Sequence, residues 1–263
     1  MNTLQAILLG IVQGITEFLP VSSSGHLQIA KELLGVQLDN NIAFDITLHA
    51  ATVCSTIVVM WRELLRLLKG LFSRHFTPEQ SYVLKIVISM IPAGIIGILF
   101  SEQLETLFSS LLVVGLMLLL TAALLALAYY YRPSRQRELT YRDALVIGLA
   151  QAAATMPGLS RSGTTIATGL LLGNRKDGVA QFSFLMVIPV ILGKMLLDIL
   201  SGNTAATEVA ALPLFAGFMA AFIVGALACK FMIEMVKRGR LIYFAYYCVV
   251  VGLLSIFSYF FIL

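Results

Sequence analysis

Residues 18–28 read FLPVSSSGHLQ and place a proline, three serines, a glycine and a histidine between two apolar stretches. The chain around them is 59% hydrophobic and only 12% charged, and its mean hydropathy is +0.92. Several apolar runs reach roughly 20 residues, the length that a helix needs to cross a bilayer. The sequence therefore predicts an all-α polytopic membrane protein, built as a single integral membrane domain over residues 1–263. The quoted stretch is expected to break a helix inside that domain.

Continuous apolar runs predict six transmembrane helices, at 42–61, 83–100, 108–130, 179–199, 209–229 and 241–262. Two further segments, 1–41 and 142–174, are apolar but interrupted by Gly, Pro and Ser. Non-helical backbone is tolerated at membrane depth only where protein buries it or where it lines a wet cavity. We therefore expect each broken segment to be a re-entrant helix-loop-helix that leaves and returns on the same side of the membrane.

The charged residues indicate how these spans are oriented. Basic loops are cytoplasmic by the positive-inside rule, and the basic positions are Arg62, Arg66, Lys69, Arg74, Arg132, Arg135, Arg137, Arg142, Lys230, Lys237, Arg238 and Arg240. The opposite loops are acidic and are expected outside, with Glu102, Glu105, Asp198 and Glu208. The first broken segment then dips in from outside and the second from the cytoplasm. The net charge of +4 arises from basic residues in the loops between spans, which membrane orientation explains. No nucleic-acid partner is therefore expected.

The two broken segments resemble each other. A shift of 138 residues without a gap pairs Gly10 with Gly148, Gln13 with Gln151, Ser22 with Ser160, Ser24 with Ser162, Gly25 with Gly163, Gly35 with Gly173 and Phe44 with Phe182. We interpret this as an internal duplication, with copies at about 1–130 and 139–263. Since the copies enter from opposite faces, they predict an inverted-topology repeat with a site near the membrane midplane between its broken helices.

Both breaks contain the residues of a phosphate cradle. Glycine and serine at a helix start let backbone N–H groups converge on an anion, and Arg161 adds a planar fork of donors that fits a phosphate. An arginine in a membrane segment is costly unless an anion meets it, although a structural ion pair with Glu17 would also satisfy it. The predicted phosphate-binding residues are Ser22, Ser24, Gly25, Ser160, Arg161, Ser162, Gly163 and Thr165.

Other side chains near the first break are candidates for the chemistry. Glu17 follows Gln13 by four residues, so on a helix both lie on one face. Glu17 could hold a divalent cation with help from Gln13 or act as a general base, and a buried ion pair is the structural alternative. His26 and Ser23 are candidate nucleophiles, with water activated by one of them as the third possibility. The next span contains His49 and Asp45, and the sequence does not decide whether they support the site or have a structural role.

These motifs resemble those of the undecaprenyl-diphosphate phosphatase family, integral membrane enzymes linked to bacitracin resistance. The family shows Glu or Gln followed four residues later by Glu, then Pro-Val-Ser-Ser-Ser/Thr-Gly-His; here these are Gln13 to Glu17 and Pro20 to His26. Its second signature, Pro-Gly-x-Ser-Arg-Ser-Gly-x-Thr, is here Pro157 to Thr165. The resemblance covers essentially the whole chain. Several members have Glu at the position of Gln13, so a cation site here would have one carboxylate fewer.

The resemblance implies hydrolysis of undecaprenyl diphosphate to undecaprenyl phosphate and inorganic phosphate, which recycles the lipid carrier for cell-wall synthesis. It also implies a location in the bacterial cytoplasmic membrane with an active site that opens to the outer side, dependence on Mg²⁺ or Ca²⁺, contacts with membrane lipids, and a homodimer. Glu17, Ser23, His26 and Arg161 are the expected catalytic residues. The alternative is a lipid-phosphate transporter or flippase, which would use the same cradle without a nucleophile.

Overall fold

The computed structural model describes residues 1–36, 42–100, 110–131, 133, 136–200 and 209–261, without the side chains of 42, 198 and 199. This part of the chain forms eleven helices and no strand beyond one bridge, between Arg137 and Asn174. The helices are α1 Thr3–Phe18, α2 Ser23–Leu33, α3 Ile42–Val59, α4 Trp61–Leu71, α5 Pro78–Leu99, α6 Leu111–Tyr130, α7 Tyr141–Ala153, α8 Arg161–Leu171, α9 Lys176–Leu200, α10 Ala211–Lys237 and α11 Ile242–Phe261. The charges assigned to Glu102, Glu105, Arg132, Arg135, the side chain of Asp198, and Glu208 lie outside the described residues.

Five of the eleven described helices are long and apolar enough to cross a membrane, namely α5, α6, α9, α10 and α11. They correspond to five of the six predicted spans, so the prediction of an all-helical polytopic membrane protein is confirmed. The remaining span, predicted at 42–61, corresponds to α3, which ends at Val59, where the chain bends by 79° into α4; this bent pair would be a sixth candidate if it is counted as one span. The sequence WRELLRLLKGL of α4 mixes charged and apolar residues, which suits an amphipathic helix rather than the continuation of a span.

Each broken segment folds as two short helices. α1 ends at Phe18 because Leu19 is extended, the conformation favoured in front of a proline, here Pro20. The second break ends at Ser160, whose hydroxyl accepts a hydrogen bond from the N–H of Gly163 and caps α8. Gly158 has a φ of 87°, and a side chain there would collide with the backbone of Val114 on α6. The second break is therefore seated directly against a spanning helix.

Small residues let α1 and α10 pack closely. Gly10 faces the carbonyl of Gly217, and a Cβ at Gly14 would lie 2.8 Å from both the oxygen of Ala221 and the nitrogen of Gly225. Small residues four apart on both helices allow backbones to approach in this way inside a membrane. The C-terminal end of α1, which carries Glu17, is thereby held against a spanning helix.

We expect Gly14→Ala to lower the thermal unfolding midpoint of the detergent-purified protein. The added methyl group must push two backbones apart, and overpacking of this kind costs about 1–3 kcal/mol. The matched control is Gly94→Ala on α5, where a Cβ would have no neighbour within 4 Å and alanine favours the helix. Equal midpoints for the two variants, measured by scanning fluorimetry, would contradict the close packing.

Candidate active site

The two breaks meet at one ion pair. Glu17 lies in the last turn of α1 and Arg161 is the first residue of α8, and Nη2 of Arg161 donates to Oε1 of Glu17. Only 6% of the Glu17 side chain and 19% of the Arg161 side chain are exposed. Charges buried this far are stable only when they are paired and hydrogen-bonded. The pair therefore ties the first broken segment to the second.

The other carboxylate oxygen of Glu17 is also occupied. Its Oε2 accepts one hydrogen bond from Nε2 of Gln13 at 2.9 Å and another from Oγ of Ser23 at 2.9 Å. His49 on α3 brings its Nε2 to 3.9 Å from the same oxygen. Of the two residues left open by the sequence, His49 thus lies beside the site, whereas Asp45 forms an ion pair with Lys31 at 2.6 Å.

Two polar atoms of this cluster have no hydrogen-bond partner within the described part of the chain. They are Nη1 of Arg161, a donor, and Oε1 of Gln13, an acceptor, and both are buried. A buried unsatisfied polar atom costs free energy and needs an explanation, such as a ligand. An anionic oxygen would satisfy Arg161, and a cation or a donor would satisfy Gln13. The described residues contain no group of three or more His, Cys, Asp or Glu that could hold a metal ion by themselves.

At the second break, the hydroxyl groups of Ser160, Ser162 and Thr165 form contacts within the protein, whereas that of Thr164 is buried without a partner among the described residues. Ser162 donates to the carbonyl of Leu19 at 3.1 Å, and Thr165 contacts Oγ of Ser183 at 2.7 Å. Ser160 caps α8 and its hydroxyl lies 3.3 Å from that of Ser162. These three predicted phosphate-binding side chains are almost fully buried. Among these contacts, the hydrogen bond from Ser162 to Leu19 joins the two breaks.

The first break is less enclosed. The hydroxyls of Ser22 and Ser24 lie 3.3 Å apart, and Gly25 and Gly163 are buried close to the breaks, where a Cβ at Gly163 would lie 3.0 Å from Cβ of Pro20. Ser22 has a φ of 71°, in the left-handed region that a residue with a side chain rarely adopts. The strained backbone at Ser22 starts α2 at Ser23 and directs the serine run towards Glu17.

His26 is held by a residue that the sequence did not single out. Its Nδ1 is 2.9 Å from the carbonyl of Ser22, and its Nε2 is 2.7 Å from the hydroxyl of Tyr247 on α11. The two rings stack with centroids 5.6 Å apart and planes 19° apart. Because a carbonyl only accepts, Nδ1 carries the proton and the neutral ring accepts the Tyr247 hydrogen at Nε2. No pattern distinguishes Tyr247 from the other aromatic residues of this apolar helix.

Comparison with known proteins places these residues in one family. The family model described as Bacitracin resistance protein BacA matches residues 6–254. The chain is 56% identical over 257 residues to a protein of Bacteroides thetaiotaomicron named undecaprenyl-diphosphatase, covering 96% of this chain and 97% of the relative. A protein of Parabacteroides distasonis with the same name is 56% identical over 97% of this chain and 98% of its own. Undecaprenyl-diphosphatase 1 of Bacillus cereus is 36% identical over 96% of each chain. The chain belongs to the bacitracin resistance protein BacA family.

Proposed function

We propose that the protein hydrolyses undecaprenyl diphosphate to undecaprenyl phosphate and inorganic phosphate, and thereby recycles the lipid carrier used in cell-wall synthesis. Relatives that match this chain over nearly their full length bear the name of this activity. The observation that carries the proposal is the buried cluster of Glu17, Ser23 and Arg161, in which Nη1 of Arg161 has no partner among the described residues. A guanidinium N–H of this kind fits a phosphate oxygen.

The two helix pairs are proposed to be re-entrant copies of one inverted repeat. The shift that aligns Ser22 with Ser160 also carries the ends of Ser23–Leu33 onto those of Arg161–Leu171, and Gly35 and Gly173 both have positive φ, at 64° and 82°. At 16, 11, 13 and 11 residues, these helices are shorter than a span. The distribution of basic residues supports a site that opens to the outer side of the cytoplasmic membrane. The homodimer that the resemblance implies stays a prediction.

Ser23 is the proposed nucleophile. Its hydroxyl already donates to Oε2 of Glu17 at 2.9 Å, so the carboxylate is placed to accept the proton. The terminal phosphate binds Nη1 of Arg161, while Nη2 stays paired with Oε1 of Glu17, so Oε2 of Glu17 remains in contact with Ser23 as that base. The Ser23 oxygen then bonds to phosphorus, the bond to the bridging oxygen breaks, and undecaprenyl phosphate leaves; water hydrolyses the phosphoserine. Arg161 stabilises charge on the transferred group. A transporter would not need the contact between Ser23 and Glu17.

A divalent cation fits this site only if the substrate shares in holding it. Oε1 of Gln13 is a buried oxygen without a partner among the described residues, and Glu17 adjoins it. Mg²⁺ commonly binds through one or two carboxylates together with substrate phosphates. Gln13 and Glu17 would therefore hold Mg²⁺ or Ca²⁺ together with the diphosphate. When bound, the ion supplies positive charge against the diphosphate.

His26 is proposed to take part in the hydrolysis together with Tyr247, which fixes its orientation. With its Nε2 lone pair accepting from the Tyr247 hydroxyl, the ring is held in one tautomer and one orientation. In this arrangement the lone pair that a histidine nucleophile would use is already engaged, which favours Ser23 for the attack. His26 instead holds the Tyr247 hydroxyl in place, and a lone pair of that hydroxyl oxygen can position the water that completes hydrolysis.

We expect Ser23→Ala to reduce the release of phosphate from undecaprenyl diphosphate by roughly a thousandfold or more, since loss of a nucleophile has effects of this order. Ser255→Ala is the matched control, because its hydroxyl donates to the carbonyl of Val251 within its own helix, α11, and it is not one of the predicted site residues. Its activity is expected to stay within about tenfold of wild type, the loss of a neutral hydrogen bond. Retention of activity by Ser23→Ala, or no phosphoserine at residue 23 after acid quenching, would contradict this assignment.

Tyr247→Phe removes one hydroxyl and keeps the stacked ring. We expect it to lower kcat by about tenfold or more with little change in KM, because the lost hydrogen bond orients a group used in the reaction rather than binding substrate. Tyr243→Phe, on an exposed part of the same helix, is the control. In a double-mutant cycle, Tyr247→Phe should have no further effect in His26→Ala. Additive losses would show that Tyr247 does not act through His26.

Chelation by EDTA is expected to abolish phosphate release, and added Mg²⁺ or Ca²⁺ to restore it. Gln13→Ala should raise the cation concentration needed for half-maximal activity by about tenfold, the size of effect that weakened metal-site partners have. Gln13→Glu should lower it, because a carboxylate replaces an amide. Gln151→Ala, at the aligned position of the other segment, is the matched control. An unchanged cation requirement in Gln13→Ala would remove this residue from the cation site.

A further inference from the structure

α4 is an amphipathic helix with an apolar face that nothing in the described chain covers. Its Leu67 is only 5% exposed and packs into the core. Four large side chains on the neighbouring strip stay exposed, at 51% for Trp61, 43% for Leu65, 51% for Leu68 and, directly after the helix, 88% for Phe72. At 100° per residue these four fall within one narrow arc. We call them the exposed face of α4.

The direction of α4 suits a helix that lies along the membrane surface. It leaves the apolar helix α3 at 79°, so if α3 runs across the bilayer, α4 runs close to the membrane plane. A tryptophan begins the helix, and tryptophan prefers the boundary between lipid and water. Short amphipathic helices with aromatic and leucine side chains on one face bind in this interfacial layer.

One flank of the exposed face is basic. Arg62, Arg66 and Lys69 are all exposed and follow the apolar arc, and the guanidinium of Arg62 lies 5.6 Å from the centre of the Trp61 ring. Glu63, which pairs with Arg66 at 2.9 Å, balances one of the three charges. The helix therefore presents a net positive edge beside an apolar strip. This pattern complements an anionic phosphodiester above hydrocarbon.

We propose that α4 seats its exposed face in the lipid-water interface and binds the headgroups of anionic phospholipids through Arg62, Arg66 and Lys69. The proposal is independent of the proposed function, because α4 packs on α5 and the end of α3 and carries no residue of the active site. The long basic side chains keep their stems along the apolar surface while their charged ends reach the phosphates. The helix thus senses the charge of the leaflet in which the protein is embedded.

The single tryptophan of the sequence makes the test specific, since Trp61 is the only source of tryptophan fluorescence. The full-length protein would be placed in nanodiscs of phosphatidylcholine mixed with phosphatidylglycerol, with bromine on the acyl chains of one lipid or of the other. We expect brominated phosphatidylglycerol to quench Trp61 more strongly than brominated phosphatidylcholine at the same mole fraction. High salt should reduce this difference because it screens exposed charges.

The variant Arg62→Gln/Arg66→Gln/Lys69→Gln should lose the preference for phosphatidylglycerol. Each neutralised side chain should lower the ratio of phosphatidylglycerol to phosphatidylcholine around α4 by roughly fivefold. The matched control Lys230→Gln/Lys237→Gln/Arg240→Gln removes the same charge from exposed positions elsewhere and should keep it. If the first variant does not fold, the comparison of lipids and salt in the wild type decides alone. Equal quenching by the two lipids overturns the proposal. The proposal is also overturned if iodide quenches Trp61 and neither brominated lipid does. The exposed face of α4 would then be available to a protein partner instead of lipid.

Discussion

The ion pair between Glu17 and Arg161 is the contact on which the rest of the site depends. The two residues are 144 positions apart in the chain, yet each supplies the other's counterion in a buried setting. Removing one partner of such a pair typically costs about 3–5 kcal/mol, because the other charge is left buried and uncompensated. The two broken segments therefore cannot move apart without a large penalty. The same pair leaves Nη1 of Arg161 without a partner among the described residues, so a ligand can bind the guanidinium while the pair stays intact.

Close packing of the helices around the breaks positions this ion pair, although the protein lacks the hydrophobic driving force that packs the core of a soluble protein. Gly10 and Gly14 bring α1 against α10, while Gly158 lets the second break lie on the backbone of α6. Inside a membrane there is little hydrophobic driving force between helices, so close backbone approach and hydrogen bonds must hold them. The hydroxyl of Ser162 adds one such bond directly to the opposite break. The precision of the site is thus a product of small residues as much as of charged ones.

Much of this could be predicted from the sequence because membrane helices follow hydropathy. Pro20 indicates where the first helix stops, and the spacing of Gln13 and Glu17 places both side chains on one face of α1. The sequence could suggest a pair between Glu17 and Arg161 only as an alternative, since hydropathy has no information about contacts between distant segments. Tyr247 could not be found at all, because its contact with His26 joins residues 221 apart in the chain. The end of the span at 42–61 could be predicted to within two residues, but the 79° bend into α4 could not, because hydropathy has no information about the angle between two helices.

The two serine motifs look alike in sequence but do different work in the fold. Ser23 points to the carboxylate that would activate it, whereas Ser160 and Ser162 cap a helix and bridge the breaks. We therefore expect a change of Ser23 to alter turnover in a protein that still folds, and a change of Ser160 or Ser162 to loosen the packing that holds Arg161 beside Glu17. Two copies of one serine pattern thus take complementary parts in a single site, since the first presents a hydroxyl to Glu17 and the second fixes the position of Arg161.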